Sequence, residues 1–282
     1  MSSVFDRLKT HARQWNVAIE KTFETESSVL AFGERMSSRV VLKIIKHFCD
    51  EWHSGDILRA FDGEGMVRVY ESHPGAVLLE RLDPGNELVE LVRDGNDEAA
   101  TEILAHVINE LANHSAPEGS ATVFDWAHGF DRYLNNADKQ VDASLVHKAR
   151  DVYQRLAKSS SRTMLLHGDL HHYNVLFDAK RGWVAIDPKG VVGELEYEVG
   201  AIMRNPYEQP DFFATRDVIQ RRLRILTDSL QLDYGRTLQW SFAQAVLSAI
   251  WGVEDGYPIE ASNPGLRLAR TIERMLREKD EL

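Results

Sequence analysis

Leu166-His167-Gly168-Asp169-Leu170-His171-His172-Tyr173-Asn174-Val175-Leu176, followed by Asp187 at the end of the apolar run Trp183-Val184-Ala185-Ile186, is the stretch whose reading decides the fold. It sets out an acid, an amide five residues later, and a second acid beyond two short strands. Order and spacing match the pattern of ATP-dependent phosphoryl transfer. There one Asp approaches the acceptor hydroxyl, and an Asn and a later Asp hold magnesium. The flanks suit a β-hairpin, with residues 174–178 as one strand, 179–182 as the turn and 183–187 as the return. Such a hairpin brings Asn174 and Asp187 together, as a shared metal site requires.

The chemistry calls for these residue types. Phosphoryl transfer asks the protein mainly to position groups and to neutralise charge spreading over the transferred oxygens. Magnesium, a hard cation, takes carboxylate, amide, phosphate and water oxygens, and Asp187 and Asn174 supply the protein's share. Asp169, free of metal, is left to orient the acceptor hydroxyl and take its proton. A rival reading makes His167, His171, His172 and Asp169 ligands of zinc or iron in a hydrolase. It leaves Asn174 and Asp187 without a task, and no HExxH or CxxC accompanies it.

Working outward, 282 residues at 43% hydrophobic content suffice for two lobes but are short for three domains. No apolar run approaches the roughly 20 residues that span a bilayer, and the N-terminus lacks a signal-peptide core. A single cysteine, Cys49, precludes an intrachain disulfide framework and fits a reducing compartment, so a cytoplasmic location is expected. The net charge of -11 argues against nucleic acid as a partner and suits a cationic substrate. The assembly is expected to be a monomer or homodimer.

The pattern predicts an α+β architecture, with a small strand-rich lobe over residues 1–83 and a larger helical lobe over 84–282. Val4, Leu8, Ala12, Trp15 and Ile19 recur at helical spacing, so an amphipathic helix should open the chain. Residues 28–32 and 39–45 read as strands joined by a loop at Gly33, placed to fold over phosphates. Lys43 sits inside Val-Val-Leu-Lys-Ile-Ile, and gripping the α- and β-phosphates accounts for a lysine there. Its carboxylate partner is expected on the helical segment 50–58, where both Glu51 and Asp56 qualify and Glu51 is preferred. Asp83-Pro84-Gly85 marks a turn and the lobe boundary. Beyond it Ala100, Ile103, Leu104, Val107, Ile108 and Leu111 form a helical stripe, and three helices are expected in the last third.

Taken together, Leu166 to Leu176 resembles the catalytic loop of the aminoglycoside phosphotransferase superfamily. Val40-Val41-Leu42-Lys43, Leu78 to Gly85, Ile186 to Gly193 and Trp251 to Gly256 are similar to one branch of it, the aminoglycoside/hydroxyurea antibiotic-resistance kinases, which include streptomycin 6-phosphotransferases. The resemblance implies a protein-kinase-like two-lobed fold, ATP and Mg2+ as cofactors, and a small hydroxylated, cationic acceptor, an aminoglycoside such as streptomycin. Kinases of another small metabolite such as an amino sugar, or a nucleotide-binding regulator, are the alternatives. It also implies that the backbone of Glu80, Arg81 and Leu82 holds adenine, and that Glu198 steadies the catalytic loop where relatives usually carry Asp. The acceptor pocket should lie between that loop and the C-terminal helices, with Trp251, Glu254 and Asp255 as its residues. Trp126 and His128 are further candidates for its lining. Lys189 is expected to touch phosphate or to pair with a nearby acid.

Overall fold

The computed structural model describes residues 3–136, 140–259 and 263–279. The chain opens with helix α1 (Val4–Gln14), whose first turn is capped by Ser3 and Asp6 reciprocally, at 3.1 and 3.2 Å. Strands β1 (Ala18–Glu24), β2 (Ser28–Arg35) and β3 (Ser38–Ile45) follow. A 3₁₀ turn (Asp50–His53), helix α2 (Ser54–Ala60), and strands β4 (Val69–His73) and β5 (Ala76–Glu80) complete the N-terminal part. The five strands form one antiparallel sheet in the order β1-β2-β3-β5-β4.

The remainder is mainly helical. It comprises β6 (Pro84–Glu87), α3 (Val89–Arg93), α4 (Asp97–Leu111), α5 (Val123–Asn135), α6 (Ala143–Lys158) and β7 (Met164–Leu166). Then come β8 (Val175–Asp178), β9 (Gly182–Ala185), β10 (Val191–Gly193), α7 (Leu195–Met203), α8 (Pro210–Phe213), α9 (Arg216–Leu230), α10 (Tyr234–Glu254) and α11 (Pro264–Arg277). Two small sheets, β6-β8-β9 and β10-β7, lie among these helices. Among the described residues no helix is long and apolar enough to cross a membrane.

Two apolar clusters flank the N-terminal sheet. Leu8, Ala12 and Trp15 from α1 pack with Val29, Ala31, Val40, Leu42, Ile44 and Leu78. The larger cluster fills the helical part and reaches back to Leu58, Phe61, Met66, Val67 and Val77. Successive strand residues point to opposite faces, so Leu78 and Val77 serve different clusters. Lys43 stands opposite Val77 in the β3–β5 register, while its neighbours Leu42 and Ile44 face α1. A lysine inside an aliphatic strand is thereby turned toward the helical part.

Three expectations are corrected. The opening helix ends at Gln14, Asn16 takes φ 56°, and Ile19 lies half-exposed in β1, a strand whose seven residues are all exposed. Gly33 is not in a loop. It lies within β2, where β1 passes so closely that a Cβ would sit 2.2 Å from the Ala18 carbonyl oxygen. β2 and β3 are joined instead by Met36-Ser37, at φ 48° and 66°, the tight turn that suits a twisted hairpin. The predicted helical segment 50–58 divides into a 3₁₀ turn and α2.

Candidate active site

The catalytic-loop sequence leaves β7 and turns sharply at Gly168, where φ is +82° and a Cβ would press on Trp126. The turn is held from inside by buried Glu198 on α7. Its carboxylate accepts the amides of His167 at 2.7 Å and Gly168 at 3.0 Å. Glu198 thus reaches the loop amides from the position where the resemblance implies an Asp in relatives. Burial raises this carboxyl to about 7, against the amides of Gly168, His167 and Leu170, which lower it. His167 is fully buried. One ring nitrogen accepts the Asp169 amide at 3.3 Å, so the other donates to the Ile186 carbonyl at 2.9 Å. Burial lowers His167 from 6.5 to about 4, leaving it a neutral brace between the loop and the strand before Asp187.

Asp169 emerges at the loop's surface. Its Oδ1 accepts from Arg204 at 2.8 Å and its Oδ2 lies 3.7 Å from His171. Burial alone would push this carboxyl up. The His171 ring, Arg204 and Lys189 outweigh that and hold it well below the usual carboxylate range. Arg204, at the C-terminus of α7, also donates to Gln244 at 2.6 Å. No sequence motif announces Arg204, and its contact with Asp169 spans 35 residues.

Asn174 and Asp187 are brought together as the hairpin requires. β8 and β9 pair with Val175 opposite Ala185, and the Ile186 amide bonds the Asn174 carbonyl at 2.9 Å. The Asn174 side-chain amide donates to the Asp169 carbonyl at 3.0 Å, which leaves its Oδ1 to face a cation. Asp187 adopts φ +60°, uncommon for a residue with a side chain and a mark of functional positions. Its side chain stays 44% exposed, open to a ligand.

Lys43 Nζ, nearly buried, bonds Asp187 and meets Glu51 Oε2 at 3.2 Å. Burial alone would lower the ammonium, but the two carboxylates hold it above its ordinary value. Of the two candidate partners, then, Glu51 reaches Lys43, while Asp56 is exposed and lies 3.7 Å from His53. Glu51 also takes Lys189, at 2.5 Å. Residues 80–82 continue from β5. The Glu80 carboxylate binds Arg181 and the Arg68 amide, the Arg81 amide donates to the Arg39 carbonyl at 3.2 Å, and Leu82 is buried.

The acceptor-side candidates divide. Trp126 lies against Gly168 and so borders the loop, and Trp251 packs edge-on to it at 5.4 Å from the far side, beside Gly129. Asp255 is exposed at the end of α10. Burial, Glu254 and Glu26 raise its carboxyl, whereas Lys189 lowers it. Glu254 is clamped by Arg132 at 3.1 and 3.2 Å and offers less free charge. His128, two positions on from Trp126, is exposed on another face of α5. Beyond Asp255, the Tyr257 hydroxyl donates to Glu26 at 2.8 Å, tying the β1–β2 turn to the segment after α10.

Among the described residues no three His, Cys, Asp or Glu side chains converge as a metal set. The histidine-rich rival therefore has no assembled centre there: His167 is spent on the brace and His172 is wholly buried. A two-residue oxygen set beside a lysine–carboxylate pair, on a β-rich part followed by a helical part, is the arrangement of the kinase fold. The chain belongs to the aminoglycoside/hydroxyurea antibiotic resistance kinase family, whose sequence model matches residues 14–256.

Relatives agree. Streptomycin 6-kinase of Streptomyces griseus is 32% identical over 207 residues, covering 71% of this chain and 66% of that protein. Hydroxyurea phosphotransferase of Kitasatospora aureofaciens is 34% identical over 215 residues, covering 73% and 61%. The matched region thus spans under two thirds of either relative. Among solved structures, a thermostable mutant of aminoglycoside phosphotransferase APH(4)-Ia with AMP-PNP and hygromycin B superposes at TM-score 0.68, with 16% identity over 97% of this chain and 99% of that one. That likeness establishes the kinase fold.

Proposed function

We propose that this protein transfers the γ-phosphoryl group of magnesium-ATP to a hydroxyl of a small cationic antibiotic, an aminoglycoside such as streptomycin. The observation that carries the reading is the convergence of Asp169, Asn174 and Asp187 with the Lys43–Glu51 pair. Asn174 Oδ1 and the Asp187 carboxylate fit a hard divalent cation and would hold magnesium, which when bound neutralises charge on the phosphate oxygens. Lys43 serves the α- and β-phosphates, and the backbone of Glu80 to Leu82 serves adenine.

Asp169 faces the acceptor. A carboxyl held this low is a weak base in the ground state, so its first task is to orient the hydroxyl. It receives the proton as the acceptor oxygen bonds phosphorus and the oxygen bridging to ADP departs with its electron pair. Arg204 fixes one carboxylate oxygen and leaves the other for the acceptor. Trp126, Trp251 and Asp255 offer aromatic faces and negative charge suited to a guanidino or amino sugar. The cytoplasm, which supplies magnesium-ATP, is the compartment this chemistry calls for.

A smaller acceptor is the second reading, favoured by the relative named for hydroxyurea. ATP consumption with magnesium against streptomycin, hydroxyurea, other aminoglycosides and simple amino sugars separates the two, with Asp169→Asn as the blank. Turnover of streptomycin above about 10⁴ M⁻¹s⁻¹ supports the first reading. Turnover of hydroxyurea alone supports the second, and near-normal kcat in the blank refutes the role of Asp169.

A further inference from the structure

Lys189 has no task in the proposed function, yet both its backbone and its ammonium are tied to the site. Its amide donates to the His167 carbonyl at 2.9 Å, pinning its backbone to the catalytic loop. Its Nζ meets Glu51 Oε1 at 2.5 Å, while the other oxygen of the same carboxylate holds Lys43 at 3.2 Å. One carboxylate therefore serves two ammonium groups. Lys43 has a second anion in contact, Asp187. Among the described residues the ion pair of the Lys189 ammonium is to Glu51, and the charges of Asp187 and Asp169 also favour it.

Exposure separates the two lysines. The Lys43 side chain is 10% exposed and the Lys189 side chain 40%, so Lys189 is the one a ligand meets directly. Glu51 is 12% exposed and already has Lys43 as a partner, so holding Glu51 is a weak reason for a second cation here. Position gives a stronger one. Asp187 marks the metal end of the proposed reaction and Asp169 the acceptor end; Lys189 follows Asp187 by two residues, and its amide is bonded to the His167 carbonyl, two residues before Asp169. With three carboxylates (Glu51, Asp169, Asp187) set against Lys43, Lys189 and Arg204, the centre is balanced before any phosphate arrives. A triphosphate adds negative charge that magnesium offsets only in part. If Lys189 turned to it, Glu51 would keep Lys43 as partner.

We propose that Lys189 is a catalytic residue of the phosphoryl transfer: its ammonium leaves Glu51 to bind the terminal phosphoryl group and stays with it while the bond to the acceptor forms. The proposal rests on the nucleotide reading of the site and assigns that site's γ-phosphate contact. It distinguishes Lys189 from Lys43, whose buried position suits the inner phosphates.

Calorimetric titration of the intact chain with AMP-PNP and with ADP, each with magnesium, tests it without any turnover. Lys189→Met should weaken AMP-PNP binding on the order of 10- to 100-fold, the effect of a hydrogen bond to a charged group. ADP binding should change by less than about twofold on the same argument. Lys189→Arg should restore most of the preference for AMP-PNP, and kcat should fall in Lys189→Met at least as far as AMP-PNP affinity. Equal losses for both nucleotides, or none for either with kcat intact, would show a bridge to Glu51 only and overturn the proposal. If the wild-type chain binds neither nucleotide, the reading beneath it fails as well, and that control keeps the two failures apart.

Discussion

Replacing Glu198 by aspartate removes one methylene, about 1.5 Å of reach, from the carboxylate that holds the catalytic loop. The wild-type contacts to the amides of His167 and Gly168 are 2.7 and 3.0 Å. Drawn back along the side chain, the carboxylate would leave both beyond hydrogen-bond distance unless α7 moves. Both residues are buried, so water does not replace the lost acceptor. An orphaned buried amide costs about 1–3 kcal/mol, so Glu198→Asp should lose about 2–6 kcal/mol, less whatever a shift of α7 recovers. Helix α7 is poorly placed to shift, because buried Arg222 on α9 donates to the carbonyls of Ile202 and Asn205 at its end. Urea unfolding monitored by tryptophan fluorescence reads the loss, and kcat should fall with it because Asp169 rides on the same turn. An unfolding free energy within about 0.5 kcal/mol of wild type, the scatter of neutral surface changes, together with unaltered kcat, would refute the account of how the loop is held.

Further consequences can be measured. Glu198, raised to about 7 from 4.5, is protonated in the folded chain before it is in the unfolded one. Its contribution to stability is therefore present below about 4.5 and lost as pH rises to about 7. His167, lowered to about 4, acts with the opposite sign: its contribution is present above 6.5 and lost as pH falls to about 4. Each span is worth about 3 kcal/mol at 1.36 kcal/mol per pH unit, so the pair should nearly cancel between pH 4.5 and 6.5. Glu198→Gln should unmask the His167 slope, with stability rising over that range relative to wild type; parallel urea midpoints across pH would contradict it. Asp97→Ala strips the carboxylate from fully buried Arg222, bonded at 2.9 Å through Nε, and should cost about 3–5 kcal/mol in urea unfolding. Gly33→Ala places a methyl against the Ala18 carbonyl and should cost about 1–3 kcal/mol, read as a lower melting temperature. An unchanged melting temperature would mean that β1 sits further from β2 than described.

How much the sequence discloses depends on how far apart the partners lie. Asp169, Asn174 and Asp187 are legible because a loop and one hairpin join them, and hairpin pairing follows local rules. Lys43 is legible because a charge breaks an aliphatic strand, and strand alternation explains which way it turns. Its partner was open between Glu51 and Asp56 because both fall on one helical stretch, whose division into a 3₁₀ turn and α2 is settled only by packing. β1 leaves no trace in the pattern: as a fully exposed edge strand it shows no alternation, and Ile19 lent itself to the preceding helical count. α5 has a local signal only in its cap, where Thr122 and Asp125 bond reciprocally at 3.2 and 2.7 Å. Arg204 had no local signal at all, since its charge acquires meaning only when α7 folds against the loop.

The apolar cluster that runs from the helices back to Leu58, Phe61, Met66 and Val67 bears on how such enzymes can be recombined. A crossover at residue 83 between two relatives would join those four side chains, shaped for one set of helices, to the surface of another, and interiors packed this closely tolerate such mismatch poorly. A crossover near the end of β3, between Ile45 and the 3₁₀ turn, would instead carry α1 and the first three strands as a unit with most of their own buried contacts. Functional chimeras should therefore accumulate at that earlier seam, provided the incoming chain keeps Glu51 and Asp187 to meet Lys43 across it.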